Sequence, residues 1–183
     1  MKVNRILKLY LFLMKTFRNS LVVFIFLLFY DATYAQNAED YGKSGQEKYH
    51  KRDYSGALSD YNKAIELNHK DAKAYTGRGL VKDALKDYKG AIADYTKAIE
   101  VDPKHEMAYV YRGISKSKSS DYKGAILDFN KAIELNPKHP MGYQGRALAK
   151  YQLSDSKGAC IDWRKAGELG YKDAYNFINK YCK

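Results

Sequence analysis

The sequence predicts an all-α protein built as a stack of paired helices, on three observations. One stretch recurs at 34-residue steps: DYSGALSDYNKAIELNHKD from Asp53, DYKGAIADYTKAIEVDPKH from Asp87 and DYKGAILDFNKAIELNPKH from Asp121. Within it, small and aromatic residues fall at helical spacing, as Ala91, Tyr95 and Ala98 do at i, i+4 and i+7. Pro103 and Pro137 then stop the element, because proline lacks an N–H and clashes with the preceding turn.

The N-terminal segment 1–35 is a separate object. Lys2, Arg5, Lys8, Lys15 and Arg18 accompany the apolar run LVVFIFLLFY from Leu21 to Tyr30, and small residues follow at Thr33 and Ala35. This is the order of a secretory signal peptide cleaved after Ala35, which places the mature protein in the periplasm or outside the cell. The apolar run is shorter than the ~20 residues that span a bilayer. An uncleaved N-terminal anchor is the alternative, and a start at Met14 gives a signal of more ordinary length. No cysteine near the cut could carry a lipid. The 183-residue chain has a formal charge of +11. Without the segment's five basic residues and one acidic residue the balance falls to +7. Part of the basic excess is therefore targeting signal, and an exported chain is not expected to meet nucleic acid.

From residue 36 to 173 the chain divides into copies at 38–71, 72–105, 106–139 and a divergent 140–173. Tyr41, Tyr75, Tyr109 and Tyr143 share one column, and Gly45, Gly79, Gly113 and Ala147 the next. Ala57, Ala91, Ala125 and Ala159 follow, then the aromatics Tyr61, Tyr95, Phe129 and Trp163, then Ala64, Ala98, Ala132 and Ala166. Asp53, Asp87, Asp121 and Asp155 each precede the second helix of a copy and suit an N-cap. Gly79 and Gly113 each cost about 1 kcal/mol inside the first helix. Close approach of the partner helix's alanine edge is the expected compensation. One copy cannot bury its apolar face alone, so stacking makes the core.

Beyond the copies, residues 174–183 carry the stripe Phe177, Ile178 and Tyr181, expected to form a capping helix. Cys160 and Cys182 are the two cysteines, too few for a disulfide framework or a four-cysteine zinc site. In an oxidising compartment they could pair and staple the cap, worth about 3 kcal/mol in the chain-entropy picture. The alternative is two buried thiols.

The succession of aromatic, small, aromatic, Ala, aromatic, Ala and Pro resembles the tetratricopeptide repeat family, fully in the second and third copies. The first copy has His69 where proline is usual, and the fourth lacks the middle tyrosine and the proline. The resemblance implies a right-handed helix–turn–helix solenoid whose first helices line a concave, protein-binding groove. Lys48, Lys82, Lys116 and Lys150 stand where the family often has tyrosine, with stems expected over the core and amines in water. The family's clamp for a terminal carboxylate does not carry over, because Gly42, Gln46, Gly77, Met107 and Tyr111 hold the matching positions.

No motif of a hydrolase, zinc protease or nucleotide-binding enzyme occurs, so no catalytic residue, metal or cofactor is expected. His69, His105 and His139 recur between copies at steps of about 34 residues and are expected to be exposed turn residues, too far apart for one metal. Asp60, Asp94, Asp128 and Asp162 recur beside Arg78, Arg112 and Arg146, which suggests an Asp–Arg ladder of modest worth if exposed. The groove columns hold Lys43, Gln46 and Tyr49, then Lys73, Thr76, Leu80 and Asp83. Met107, Val110, Tyr111, Ile114 and Lys118 follow, then Met141, Gln144, Leu148 and Tyr151. Methionine and tyrosine suit an adaptable peptide-binding face. The binding candidates are therefore Lys73, Leu80, Met107, Val110, Tyr111, Ile114, Lys118, Met141, Gln144 and Tyr151. The expected function is a non-catalytic envelope scaffold that binds a protein or peptide with acidic flanks. The alternative is a cationic, peripherally envelope-associated protein that holds an anionic lipid or polymer.

Overall fold

The computed structural model describes residues 21–182, with side chains from residue 36 onward. Among the described residues there are nine α-helices and no strand. They are α1 Leu21–His50, α2 Tyr54–Leu67, α3 Ala72–Ala84, α4 Tyr88–Val101 and α5 Glu106–Lys118. The rest are α6 Tyr122–Leu135, α7 Pro140–Gln152, α8 Ser156–Glu168 and α9 Ala174–Tyr181. The expected signal peptide lies outside the described residues as far as residue 20. From Leu21 its backbone is helical and continues without a break into the first copy. No described helix is long and apolar enough to cross a membrane.

The turn inside each copy is built the same way. Arg52, Lys86, Ser120 and Ser154 adopt left-handed φ values of 61, 64, 64 and 64°. The following aspartate N–H reaches back to the carbonyl of Lys48, Lys82, Lys116 or Lys150 at 2.9 Å. That closes the first helix with a Schellman-type turn. The same aspartate then opens the second helix. Asp53, Asp87, Asp121 and Asp155 accept from the backbone N–H of Gly56, Gly90, Gly124 and Gly158 at 2.8–2.9 Å. Proline plays a smaller part than its position suggests. The helices α4 and α6 end at Val101 and Leu135, one residue before their caps at Asp102 and Asn136.

Each helix packs on the next in sequence. The first helices of successive copies, α1, α3, α5 and α7, also touch one another more closely than the second helices do. They therefore form the inner layer of the stack. The buried core consists of the alanine columns and the ring column Tyr61, Tyr95, Phe129 and Trp163. The interior glycines serve these rings rather than an alanine edge. A Cβ at Gly79 would stand 2.6 Å from Tyr95, and one at Gly113 would stand 2.9 Å from Phe129. The next copy's Gly77 and Gly145 press on Tyr61 and Phe129 even more closely, at 2.3 and 2.4 Å. Tyr61 and Phe129 thus each have a glycine on both sides, Gly45 and Gly77 or Gly113 and Gly145, where a Cβ would crowd the ring.

The Asp–Arg ladder is present and buried, which changes its weight. Arg78, Arg112 and Arg146 each grip an aspartate with two nitrogens: Asp94 at 2.9 and 2.6 Å, Asp128 at 3.0 and 2.7 Å, Asp162 at 2.8 and 2.6 Å. Each guanidinium's remaining arm reaches back one copy, to Asn62, Thr96 or Asn130. The repeated lysines do not end in water. Lys82, Lys116 and Lys150 place their amines 2.8 Å from these carboxylates, and Lys48 lies 2.6 Å from Asp60. In the first copy Ser44 takes the place of arginine and donates to Asp60.

At the far end, α9 covers α8. Trp163 stacks on Phe177 at 5.3 Å, Tyr181 lies 4.7 Å from Tyr151, and Cys160 is bonded to Cys182.

Candidate functional site

The inner layer is where residues stop repeating. Four positions at 34-residue steps on the first helices hold Tyr49, Asp83, Ser117 and Tyr151; four others hold Lys43, Gly77, Tyr111 and Gly145. In the second set, Gly77 and Gly145 receive the ring of the preceding copy. Tyr111 instead meets Tyr95 face to face, with centroids 5.9 Å apart and planes 30° apart. Where its neighbours give way to a ring, the third copy adds one.

This extra ring accompanies a polar centre that spans α3, α4 and α5. The hydroxyls of Tyr95 and Ser115 donate to Asp83 Oδ2 at 3.1 and 2.8 Å. Asp83 Oδ1 is buried and accepts no hydrogen bond. Lys118 Nζ stands 3.9 Å from it and 5.3 Å from the centroid of Tyr88. Burial raises the Tyr95 hydroxyl strongly, helped by the Asp83 charge and by its hydrogen bond to that carboxylate. Burial also pushes up Tyr111 and Tyr49, and the neighbourhood of Tyr54 and Asp83 adds to the effect at Tyr49. These phenols are therefore neutral hydrogen-bond donors over the whole physiological range.

The candidate residues are not all available to a partner. Val110 is fully buried and serves as packing. Ile114 and Met141 pack against the same core as Phe129. Tyr151 is engaged by the ring of Tyr181 and by Trp163 at 5.8 Å, so the C-terminal cap occupies it. Gln144 is buried, and its Oε1 accepts no hydrogen bond. Lys73 is exposed at the start of α3, while Leu80, Met107 and Tyr111 are half-buried. Lys118 is turned toward Asp83. The residues that converge are thus Asp83, Tyr95, Tyr111, Ser115 and Lys118. Three of them, Asp83, Tyr95 and Ser115, lie outside the candidates chosen from sequence. Asp83 sits in a groove column, and its signal was the lone carboxylate in that column. Tyr95 belongs to a column that reads as pure core.

The histidines also differ from expectation. His105 and His139 occupy the N-cap positions of α5 and α7 and are half-buried, whereas His69 is exposed. His105 Nε2 lies 3.1 Å from Thr76 Oγ1 of α3. Among the described residues, no three His, Cys, Asp or Glu side chains gather as a metal site.

Three family models match the chain. "TPR repeat" matches residues 45–82, and "Tetratricopeptide repeat" matches 72–105 and again 108–139. No curated protein sequence matches it. Among solved structures it is similar to the Arabidopsis OM64 TPR domain, with 27% identity and a TM-score of 0.63 over 65% of this chain and 98% of that one. It is similar in fold to MamA 41-end from Desulfovibrio magneticus RS-1, with 21% identity and a TM-score of 0.67 over 73% and 76% of the two chains. The first TPR of Spaghetti (RPAP3), bound to HSP90 peptide SRMEEVD, shares the fold at 20% identity and a TM-score of 0.64 over 66% and 95%.

Proposed function

The chain belongs to the tetratricopeptide repeat family, and from that premise we propose that it is an exported envelope scaffold that binds an extended or helical protein segment on its inner helical layer. The observation that carries the reading is the break in the repeat at Tyr111, beside an incompletely satisfied Asp83. A scaffold alone needs neither. A solved relative in this fold is bound to a peptide, which supports a peptide-sized partner. Exposed Lys73 favours an acidic residue at one flank of that segment. The basic-then-apolar N-terminus supports export, with cleavage after Ala35 and a mature unit that runs from residue 36. On this reading the work of the groove is recognition.

The test is capture of one partner from the native host's envelope extract, wild type against Tyr111→Ala and Lys73→Ala. Loss of the same partner with Tyr111→Ala, in a variant that still unfolds cooperatively well above the assay temperature, supports the groove. Equal capture by both variants refutes it. Repeating the capture at high salt separates the alternative, because attachment to an anionic lipid or polymer weakens steeply as charges are screened.

A further inference from the structure

The unrepeated carboxylate on α3 is a half-built ion site. Asp83 is only 9% exposed, yet it spends one oxygen on two neutral hydroxyls and leaves the other without a donor. A buried carboxylate oxygen without a hydrogen bond is costly unless a cation approaches it. Every buried aspartate of the Arg78, Arg112 and Arg146 ladder has a cation at 2.6–2.7 Å, whereas Asp83 has only a long ion pair. Its nearest cation, Lys118 Nζ at 3.9 Å, is beyond hydrogen-bond reach. That lysine is 44% exposed and rests over Tyr88, so its flexible stem can swing aside without breaking a core contact. The surroundings suit a positive guest. The half-buried Tyr111 ring, stacked on the fully buried Tyr95, offers a π face, Tyr49 lies within the field of Asp83, and no second carboxylate joins the hydrogen bonds and ion pair of Asp83.

We propose that Asp83, with Tyr111 beside it, receives a lysine or arginine side chain of the bound segment, and that Lys118 occupies the place when the groove is empty. This rests on the groove reading above and adds the chemistry of its anchor. The segment carries a basic residue at the middle of the inner layer and an acidic one toward Lys73.

The full-length chain, labelled with nitrogen-15, is titrated with N-acetyl-lysine-N-methylamide and separately with the norleucine analogue. The expected result is saturable amide shifts in α3 and α5 with the lysine probe only. Asp83→Asn abolishes the response. Lys118→Met, which removes the internal competitor and leaves the carboxylate, tightens binding about two-fold or more. Equal responses to the two probes, no response in wild type, or a Lys118→Met variant that binds no tighter overturns the proposal. If the lysine probe fails while Tyr111→Ala still loses the partner, the groove stands and only the cation anchor falls.

Discussion

Asp128 and Asp83 are the same residue in the same solenoid, and they are finished differently. Asp128 lies between α5 and α6, with Arg112 on both oxygens and Lys116 at 2.8 Å. Asp83 faces the inner layer with two hydroxyls on one oxygen and nothing bonded to the other. The first is copied at Asp94 and Asp162, whereas the second occurs once. A carboxylate that holds the two helices of a copy together must be complete before any partner arrives. One that remains incomplete is useful only if something else completes it.

Substitution is the most direct way to break this comparison. Asp128→Ala strands Arg112 and Lys116 beside a buried hole and should cost about 3 kcal/mol or more in denaturant unfolding. Asp83→Asn keeps an oxygen for Tyr95 and Ser115 and should cost about 1 kcal/mol or less. Equal costs would mean that Asp83 is scaffold after all. The bond between Cys160 and Cys182 limits the rule from the other side. It occurs once and is still structural, because its 22-residue separation ties α9 over α8. Cys160→Ala combined with Cys182→Ala should lower stability by about 3 kcal/mol while leaving the response to the lysine probe intact.

Smaller effects sharpen the contrast between the third copy and its neighbours. Gly145→Ala drives a methyl group to 2.4 Å from Phe129 and should cost about 2 kcal/mol by overpacking. Tyr111→Ala at the equivalent position removes one half-buried stacked ring and should cost about 1 kcal/mol, read by thermal melting. The smallest effect belongs to His105, whose pKa is lowered chiefly by burial. The unfolded chain therefore binds the proton more readily. Stability should be complete above pH 6.5 and decline as pH falls below it, a slope that His105→Gln removes.

Much of the scaffold was legible because each copy states it again. The Asp caps, the alanine columns and the ring column are local choices that agree with the global stack, and repetition separates them from chance. The ladder was legible as a pairing of columns but not in its weight, because burial depends on what the neighbouring copy covers. The repeated lysines were misplaced for the same reason. From sequence, a lysine beside a core column reads as a stem with a solvated head. In three dimensions Lys82, Lys116 and Lys150 stand beside the carboxylates. The groove candidates lie on the first helices, yet Val110 and Tyr151 are taken by the core and the cap. Tyr95 was passed over because its ring packs in the core while its hydroxyl points to Asp83.

The sequence alone determined the period, the helix pairs and the places where the pattern breaks. These are one-dimensional facts, carried by spacing and by the conformational limits of Asp, Gly and Pro. Tertiary structure decided which break matters. Ser115 and Lys118 reach Asp83, and Tyr111 reaches Tyr95, only because α5 lies beside α3 and α4, and hydrogen bonding is exhausted by neighbours in space rather than neighbours in the chain. Whether a carboxylate is complete or waiting is therefore a property of the packed stack.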